Sequence, residues 1–364
     1  MGLKKREVKY DYLRTLAVFA IIMVHAIPAE TVNSKQWLFS AALTPVLLAF
    51  VGIYFMLSGL FLLQSGTENI KEFYWKRFCT IFIPFACYSG IYYWYYNSYL
   101  SLEPVPWYEQ VANFFHALFT ETIPMAPHLW FMYVIMALYL CAPFLARMFH
   151  AMTDRELKVF LGLILLIQGV RTYLPAFGFE VGPGLDDMIF KGWLIYFVLG
   201  YICKRLYRSI SYLPFAILGA AGFGVTMFQK CVTPSFTPGI HDMALTMIAM
   251  SVSIFLFFEL LGDVKIPVFM NIAGLISRYS YSVYLIHYLV LGQIVNEVTE
   301  KTVFRHYYVP GILFKTGLTF IISLAAAVLF DETVIKVLKK LAEAVWNRRT
   351  KRKRRYENGS ENQL

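Results

Sequence analysis

Two ionisable side chains stand inside the first apolar stretch of this chain, YDYLRTLAVFAIIMVHA, where a charged residue costs about 2.5–3.5 kcal/mol to insert. They are Arg14 and His25, 11 residues apart. On a helix, 11 residues rise about 16 Å and return to within about 20° of the starting direction, so the two share one stripe at two depths. In that arrangement the guanidinium can hold an anion while the imidazole acts deeper in the membrane. The alternative assigns them no chemistry: Arg14 snorkels to the headgroups and His25 caps a helix end. The pairing, with Tyr10, Asp11 and Tyr12 just before it, favours the first reading.

The elements that must hold such a pair follow from composition. Of 364 residues, 58% are hydrophobic and 15% charged, against roughly a quarter charged in an average soluble domain. With 32 Phe and 25 Tyr and a mean hydropathy of +0.55, the solvent for much of this surface is lipid, which excludes an ordinary cytosolic enzyme. A span needs about 20 mostly apolar residues. Ten such runs are read, over 10–28, 41–63, 78–98, 129–147, 157–175, 188–206, 211–229, 240–261, 280–299 and 309–330. The fold class is therefore an all-α integral membrane protein of about ten transmembrane helices. Between 99 and 128, Phe114, Phe115, Leu118 and Phe119 form an apolar patch too short to span, read as an interfacial or re-entrant helix.

Charge sets the orientation. With both termini cytoplasmic, the inner segments carry 25 Lys and Arg and the outer ones seven, with Arg14 inside the first span. Leaving out the ten beyond Asp331, the bias is still 15 to seven, as the positive-inside rule requires. The net charge of +10 is mostly a tail property, since Arg348, Arg349 and Lys351 to Arg355 supply seven of it. That tail suits an anionic inner leaflet better than a nucleic acid. The organisation expected is a membrane domain over 1–331 and a basic cytosolic tail over 332–364. The first helix reads as a retained anchor, because Arg14 and His25 interrupt what a cleaved signal keeps apolar. Five Cys at irregular spacing imply no disulfide framework and no metal site. Neither GxSxG nor a Gly-rich phosphate loop is present.

Arg14, ten intervening residues and His25 resemble the signature of the membrane-bound acyltransferase family 3. The likeness continues in order through YFMLSGLFLL (54–63), KRFCTIFIPF (76–85), HLWFMYVIMALYLCAPFL (128–145), WLIYFVLGY (193–201) and SRYSYSVYLIHYLV (277–290), covering nearly all of 10–330. It implies acyl transfer from cytosolic acyl-coenzyme A, acetyl-coenzyme A above all, to a hydroxyl of an envelope polysaccharide, glycolipid or lipid-linked precursor, at the cytoplasmic membrane of a bacterium. Such a reaction needs a base near neutral pKa, which a His supplies, so His25 is assigned as catalytic. It also needs cations for the donor's phosphates, and Arg14, Arg77 and Lys76 are assigned to them. The chain departs from the family at Thr80, where a second Arg usually follows the first by three positions. Lys76 can replace it as a point charge without Arg's bidentate fork.

Other residues are weighed as pocket members. Tyr284 and His287 are neighbours on one helix face, and the patch recurs in the family. His128, two residues before Trp130, can bond an acceptor sugar or simply sit beside an interfacial aromatic. Ser58 is read more simply as a small residue at a helix contact than as a nucleophile. Glu259 and Glu30 are candidate partners for a charged His, or border residues. Tyr92 to Tyr96 form an aromatic belt able to stack on sugars. No cofactor is expected to be permanently bound, and the partners expected are acyl-coenzyme A, a glycan or glycolipid and the bilayer. A multi-span transporter of a small or lipid-linked solute is the rival reading, and a membrane sensing module a third.

Overall fold

The chain's first helix depends on a residue far along the sequence. Helix α1, Val8–Ala26, has Glu7 at its N-cap without a capping side chain, so its free N–H groups need another acceptor. The Asp263 carboxylate supplies it, accepting from the Val8 N–H at 2.5 Å and the Lys9 N–H at 3.4 Å. At the other end Pro28 forces Ile27 into extended backbone and the helix stops. The computed structural model describes residues 6–28, 34–65, 69–101, 105–182, 191–209, 211–232 and 243–361.

After α1 come α2 (Lys35–Gln64), α3 (Ile70–Arg77), α4 (Ile83–Tyr99), α5 (Trp107–Phe119), α6 (Trp130–Ala151), α7 (Asp154–Tyr173), α8 (Trp193–Leu206), α9 (Leu213–Val232), α10 (Leu245–Leu261), α11 (Pro267–Val290), α12 (Asn296–Glu300), α13 (Tyr308–Phe330) and α14 (Lys336–Glu361). No strand occurs among the described residues. Each of the ten expected apolar runs overlaps a helix. Among the described residues, four stretches are long and apolar enough to cross a membrane: Lys35–Gln64, Pro127–Ala151, Leu213–Val232 and Tyr308–Arg348. The shortfall elsewhere has a physical cause. Helix α1 packs on α2, α11 and α13, so protein rather than lipid surrounds much of it and it tolerates Lys9, Asp11 and Arg14. Helix α8, with 14 residues, is about 21 Å long, short of a hydrocarbon core of about 30 Å.

The largest departures from the hydropathy reading lie at three boundaries. The third run begins at Ile70, because α3 continues into α4 through a π-helical turn over Phe78–Phe82. Pro84 explains the turn: it has no N–H to donate and its ring crowds the carbonyl four residues back, so the ladder widens just before it. The ninth helix starts at Pro267 and not at 280, since Arg278 lowers hydropathy without disturbing helicity. It runs on through a second π turn, Leu291–Val295, into α12. Helix α13 likewise continues through Asp331–Ile335 into α14, and Trp346 stacks on Trp75 with centroids 4.7 Å apart. The patch read as interfacial or re-entrant is the separate helix α5. Its Trp107, Val111, Phe115 and Phe119, one residue per turn, are exposed along one face.

The tightest crossing joins α2 and α8. Gly59 lies against the Phe197 carbonyl and Gly200 against the Met56 carbonyl, a reciprocal contact in which a side chain on either glycine would collide with backbone. Small residues at such crossings let helices approach to van der Waals distance, a main source of cohesion in lipid. Gly59→Val is expected to destabilise the fold by about 3 kcal/mol or more, at the top of the range for overpacking. A lowered unfolding midpoint in detergent, with loss of the monodisperse species, is the measurement that checks it.

Candidate active site

Helix α1 carries the site's two ends. Arg14, half-buried, points its guanidinium over the Phe61 ring at 4.8 Å and donates to the Ser277 hydroxyl at 3.5 Å. Arg77 lies over Phe73 at 5.2 Å and over Tyr139 at 5.7 Å, and its Nε is buried with no hydrogen-bond partner. Among the described residues neither guanidinium forms an ion pair. Two guanidiniums without an ion pair, both partly buried and beside cavities, suit an anion, since a charge withdrawn from water without a counter-ion is otherwise costly.

Three cavities meet around these arginines. A polar one of about 850 Å³ opens beside the N-terminal end of α1 and is lined by Arg6, Asp11, Arg14, Asn271, Ser277 and Arg278. A smaller one of about 210 Å³ shares Arg14 and Ser277 and reaches Ile21, Ser58, Tyr139 and Tyr284. A third, about 480 Å³ and almost wholly apolar, shares Ile81 and Tyr139 with the second and is lined by Arg77 on α3. Arg14 thus stands where the polar opening meets the interior, and both arginines meet at Tyr139. Ile21, on the wall of the inner cavity, is one helical turn before His25.

The far end of the stripe is a cluster of imidazoles. His25, exposed, lies 5.4 Å from the His287 ring and 5.2 Å from that of Tyr288. His128 lies 4.9 Å from His287 and stacks on Tyr288 at 5.3 Å. Both His128 and His287 are buried, at 4% and 0% exposure. His287 Nδ1 faces the Tyr284 carbonyl at 2.6 Å and His128 Nε2 the Leu285 carbonyl at 3.3 Å. The Tyr284 hydroxyl donates to the His128 carbonyl, and Tyr92 accepts from the Leu289 N–H at 3.0 Å. Among the described residues, no group of His, Cys, Asp and Glu is arranged to hold a metal ion.

The structure therefore brings His25, His287, His128 and Tyr284 together, and joins Arg14, Ser58 and Tyr284 through one cavity. Ser58 accepts from the Tyr139 hydroxyl at 3.3 Å. Trp130 packs instead on Trp193 at 5.1 Å. Lys76 is two-thirds exposed and paired with Glu72 at 2.7 Å, lining none of these cavities. Thr80, at the position where the family usually has Arg, is exposed and donates to the Lys76 carbonyl at 2.7 Å. Glu259 faces no histidine: it accepts from Lys9 at 2.8 Å, Lys204 at 3.0 Å and the Tyr10 hydroxyl at 2.5 Å. Glu30 lies outside the described residues. Tyr139, Ser277 and Tyr288 carry no signal of their own in sequence. They are ordinary members of aromatic or Ser-rich runs until the fold turns them toward Arg14, Arg77 and His25.

The model of the acyltransferase family 3, described as an acyltransferase domain, matches residues 7–330. The chain belongs to that family, and with its apolar helices it is a multi-pass membrane acyltransferase. No curated protein and no solved structure matches it.

Proposed function

We propose that this protein transfers an acyl group, most simply acetyl, from cytosolic acyl-coenzyme A to a hydroxyl of an envelope polysaccharide, glycolipid or lipid-linked precursor, at the cytoplasmic membrane of a bacterium. The observation that carries the reading is a pair of guanidiniums with no ion pair among the described residues: Arg14, where the polar opening meets the inner cavity whose wall at Ile21 lies one helical turn from His25, and Arg77, on the adjoining apolar cavity. The Lys and Arg asymmetry puts the polar opening and both termini on the cytosolic side, where coenzyme A is available. The donor's phosphates meet Arg6, Arg14 and Arg278, and its thioester arm extends inward. His25 takes the proton of the acceptor hydroxyl as its oxygen attacks the thioester carbon. The C–O bond forms, the C–S bond breaks, and the leaving thiolate receives the proton from the imidazolium.

The test is protein reconstituted in vesicles with acetyl-labelled acetyl-coenzyme A and an envelope glycan and lipid extract. Label recovered as an ester in the extract supports the reading. Movement of extract components across the vesicle without change of mass supports a carrier and overturns it. For Arg14→Ala the KM for acetyl-coenzyme A is expected to rise about 10- to 100-fold, the worth of one charge-assisted hydrogen bond, with a smaller change in kcat. Steady-state kinetics against donor concentration checks this.

A further inference from the structure

A catalytic imidazole needs its second ring nitrogen held, so that one tautomer presents a lone pair to the substrate and the imidazolium formed in the reaction is stabilised. A carboxylate commonly does this. Among the described residues no acidic side chain is bonded to His25, and the neighbouring rings are His287 and Tyr288. His287 is fully buried, with Nδ1 at 2.6 Å from the Tyr284 carbonyl. A carbonyl only accepts, so Nδ1 carries the proton and Nε2 is left as a lone pair. That Nε2 is buried without a hydrogen-bond partner, a cost of about 1–3 kcal/mol for a group that nothing satisfies. Ring nitrogens lie roughly 1 Å from the ring centre, so at a centroid separation of 5.4 Å two facing nitrogens come within hydrogen-bond distance by side-chain rotation alone.

We propose that His287 is the positioning residue for His25: its Nε2 accepts the N–H of His25, fixing the tautomer that leaves the other nitrogen free to act as base. The inference rests on His25 being the base of acyl transfer. When the acceptor hydroxyl gives its proton to that nitrogen, the resulting imidazolium keeps its bond to His287, and the proton passes to the departing thiolate. A neutral acceptor suits this position. It brings no buried charge of its own into the membrane, unlike a carboxylate, whose desolvation would have to be offset even before the imidazolium forms. His128 packs on His287 with centroids 4.9 Å apart and is itself held through Nε2, which limits the movement of the His287 ring.

Three variants of the full chain, in vesicles with labelled acetyl-coenzyme A and the envelope extract, test it. His287→Leu is expected to lower kcat about 100-fold or more with the KM for acetyl-coenzyme A unchanged, in keeping with the loss of an orienting partner. His287→Gln, whose amide oxygen can accept in place of Nε2, is expected to recover at least a tenth of the wild-type kcat. Nitrogen-15 spectra of labelled histidine should show His25 as one tautomer in the wild type and in His287→Gln, and as a mixture in His287→Leu. Wild-type kcat in His287→Leu beside an inactive His25→Ala, or one unchanged His25 tautomer in His287→Leu, overturns the positioning role and leaves the base assignment standing. An active His25→Ala overturns both. Equal loss in the Leu and Gln variants, with the His25 tautomer unaltered, shows that His287 only fills space.

Discussion

Replacing His25 with alanine is expected to reduce acyl transfer by about 10²- to 10⁴-fold, the range over which a positioned general base acts. The loss should fall on kcat, because the groups assigned to the donor's phosphates, Arg6, Arg14 and Arg278, line the polar opening beside the N-terminal end of α1, and His25 is in its last turn. Folding should survive the change. His25 is exposed in the last turn of α1 and its side chain makes no hydrogen bond among the described residues; its neighbours are the rings of His287 and Tyr288. The measurement is the initial rate of label transfer in vesicles, paired with the unfolding midpoint in detergent. A wild-type rate from His25→Ala would remove the base from the mechanism, whereas a lost rate with an unchanged midpoint assigns the effect to chemistry.

The second large effect concerns stability. The Glu259 side chain is 1% exposed and is shared by Lys9 and Lys204, both of which also pair with Glu7. The Tyr10 hydroxyl donates to its other oxygen at 2.5 Å. This one carboxylate therefore ties the start of α1 to α8 and α10. Glu259→Gln leaves the Lys9 ammonium, whose side chain is 8% exposed, with Glu7 alone. Removing one partner of a buried pair costs about 3–5 kcal/mol; because Lys204 and Glu7 are partly in solvent, about 3 kcal/mol is expected. Adding Lys9→Met should cost less than the sum of the two single changes, since it removes the stranded charge. Denaturant midpoints of the two single variants and the double variant in mixed micelles check the cycle. Full additivity would mean that the network is not the bond between these helices.

The activity variants and the stability variants probe different layers of α1. Arg14 lines two cavities and His25 is exposed on the same stripe, while Tyr10 and Leu13 are packed in the core, at 3% and 0% exposure. A helix with chemistry on one face and core on another cannot be uniformly apolar. Its charged first turn is accordingly bound by Asp263 and Glu259 from elsewhere in the chain rather than left to lipid.

Helix positions were legible in the sequence because span length and hydropathy are local properties, and each apolar run overlaps a helix. Boundaries failed where a local rule met a special residue. Pro84 makes the third helix begin as α3 and widen through a π turn, and Arg278 masks the first turns of α11. The Arg14 and His25 stripe was also readable, since 11 residues nearly complete three turns of a helix whatever surrounds it. The sequence leaves Glu259 open between a histidine partner and a border residue for the opposite reason, because its lysine partners lie 250 and 55 residues away in the chain.

By itself, then, the sequence determined the solvent, the helices and the shared stripe of Arg14 and His25, all of them consequences of composition and short-range periodicity, while its ordered motifs carried the likeness to the family. Only the tertiary structure decided that Arg77 lines a cavity and Lys76 does not, that Tyr139 lies between two guanidiniums' cavities, and that His287, with a buried and unpartnered Nε2, lies beside His25. Those outcomes depend on helix rotation and crossing, which are set by side chains meeting across α1, α3, α6 and α11, and no window along the chain contains both sides of such a contact.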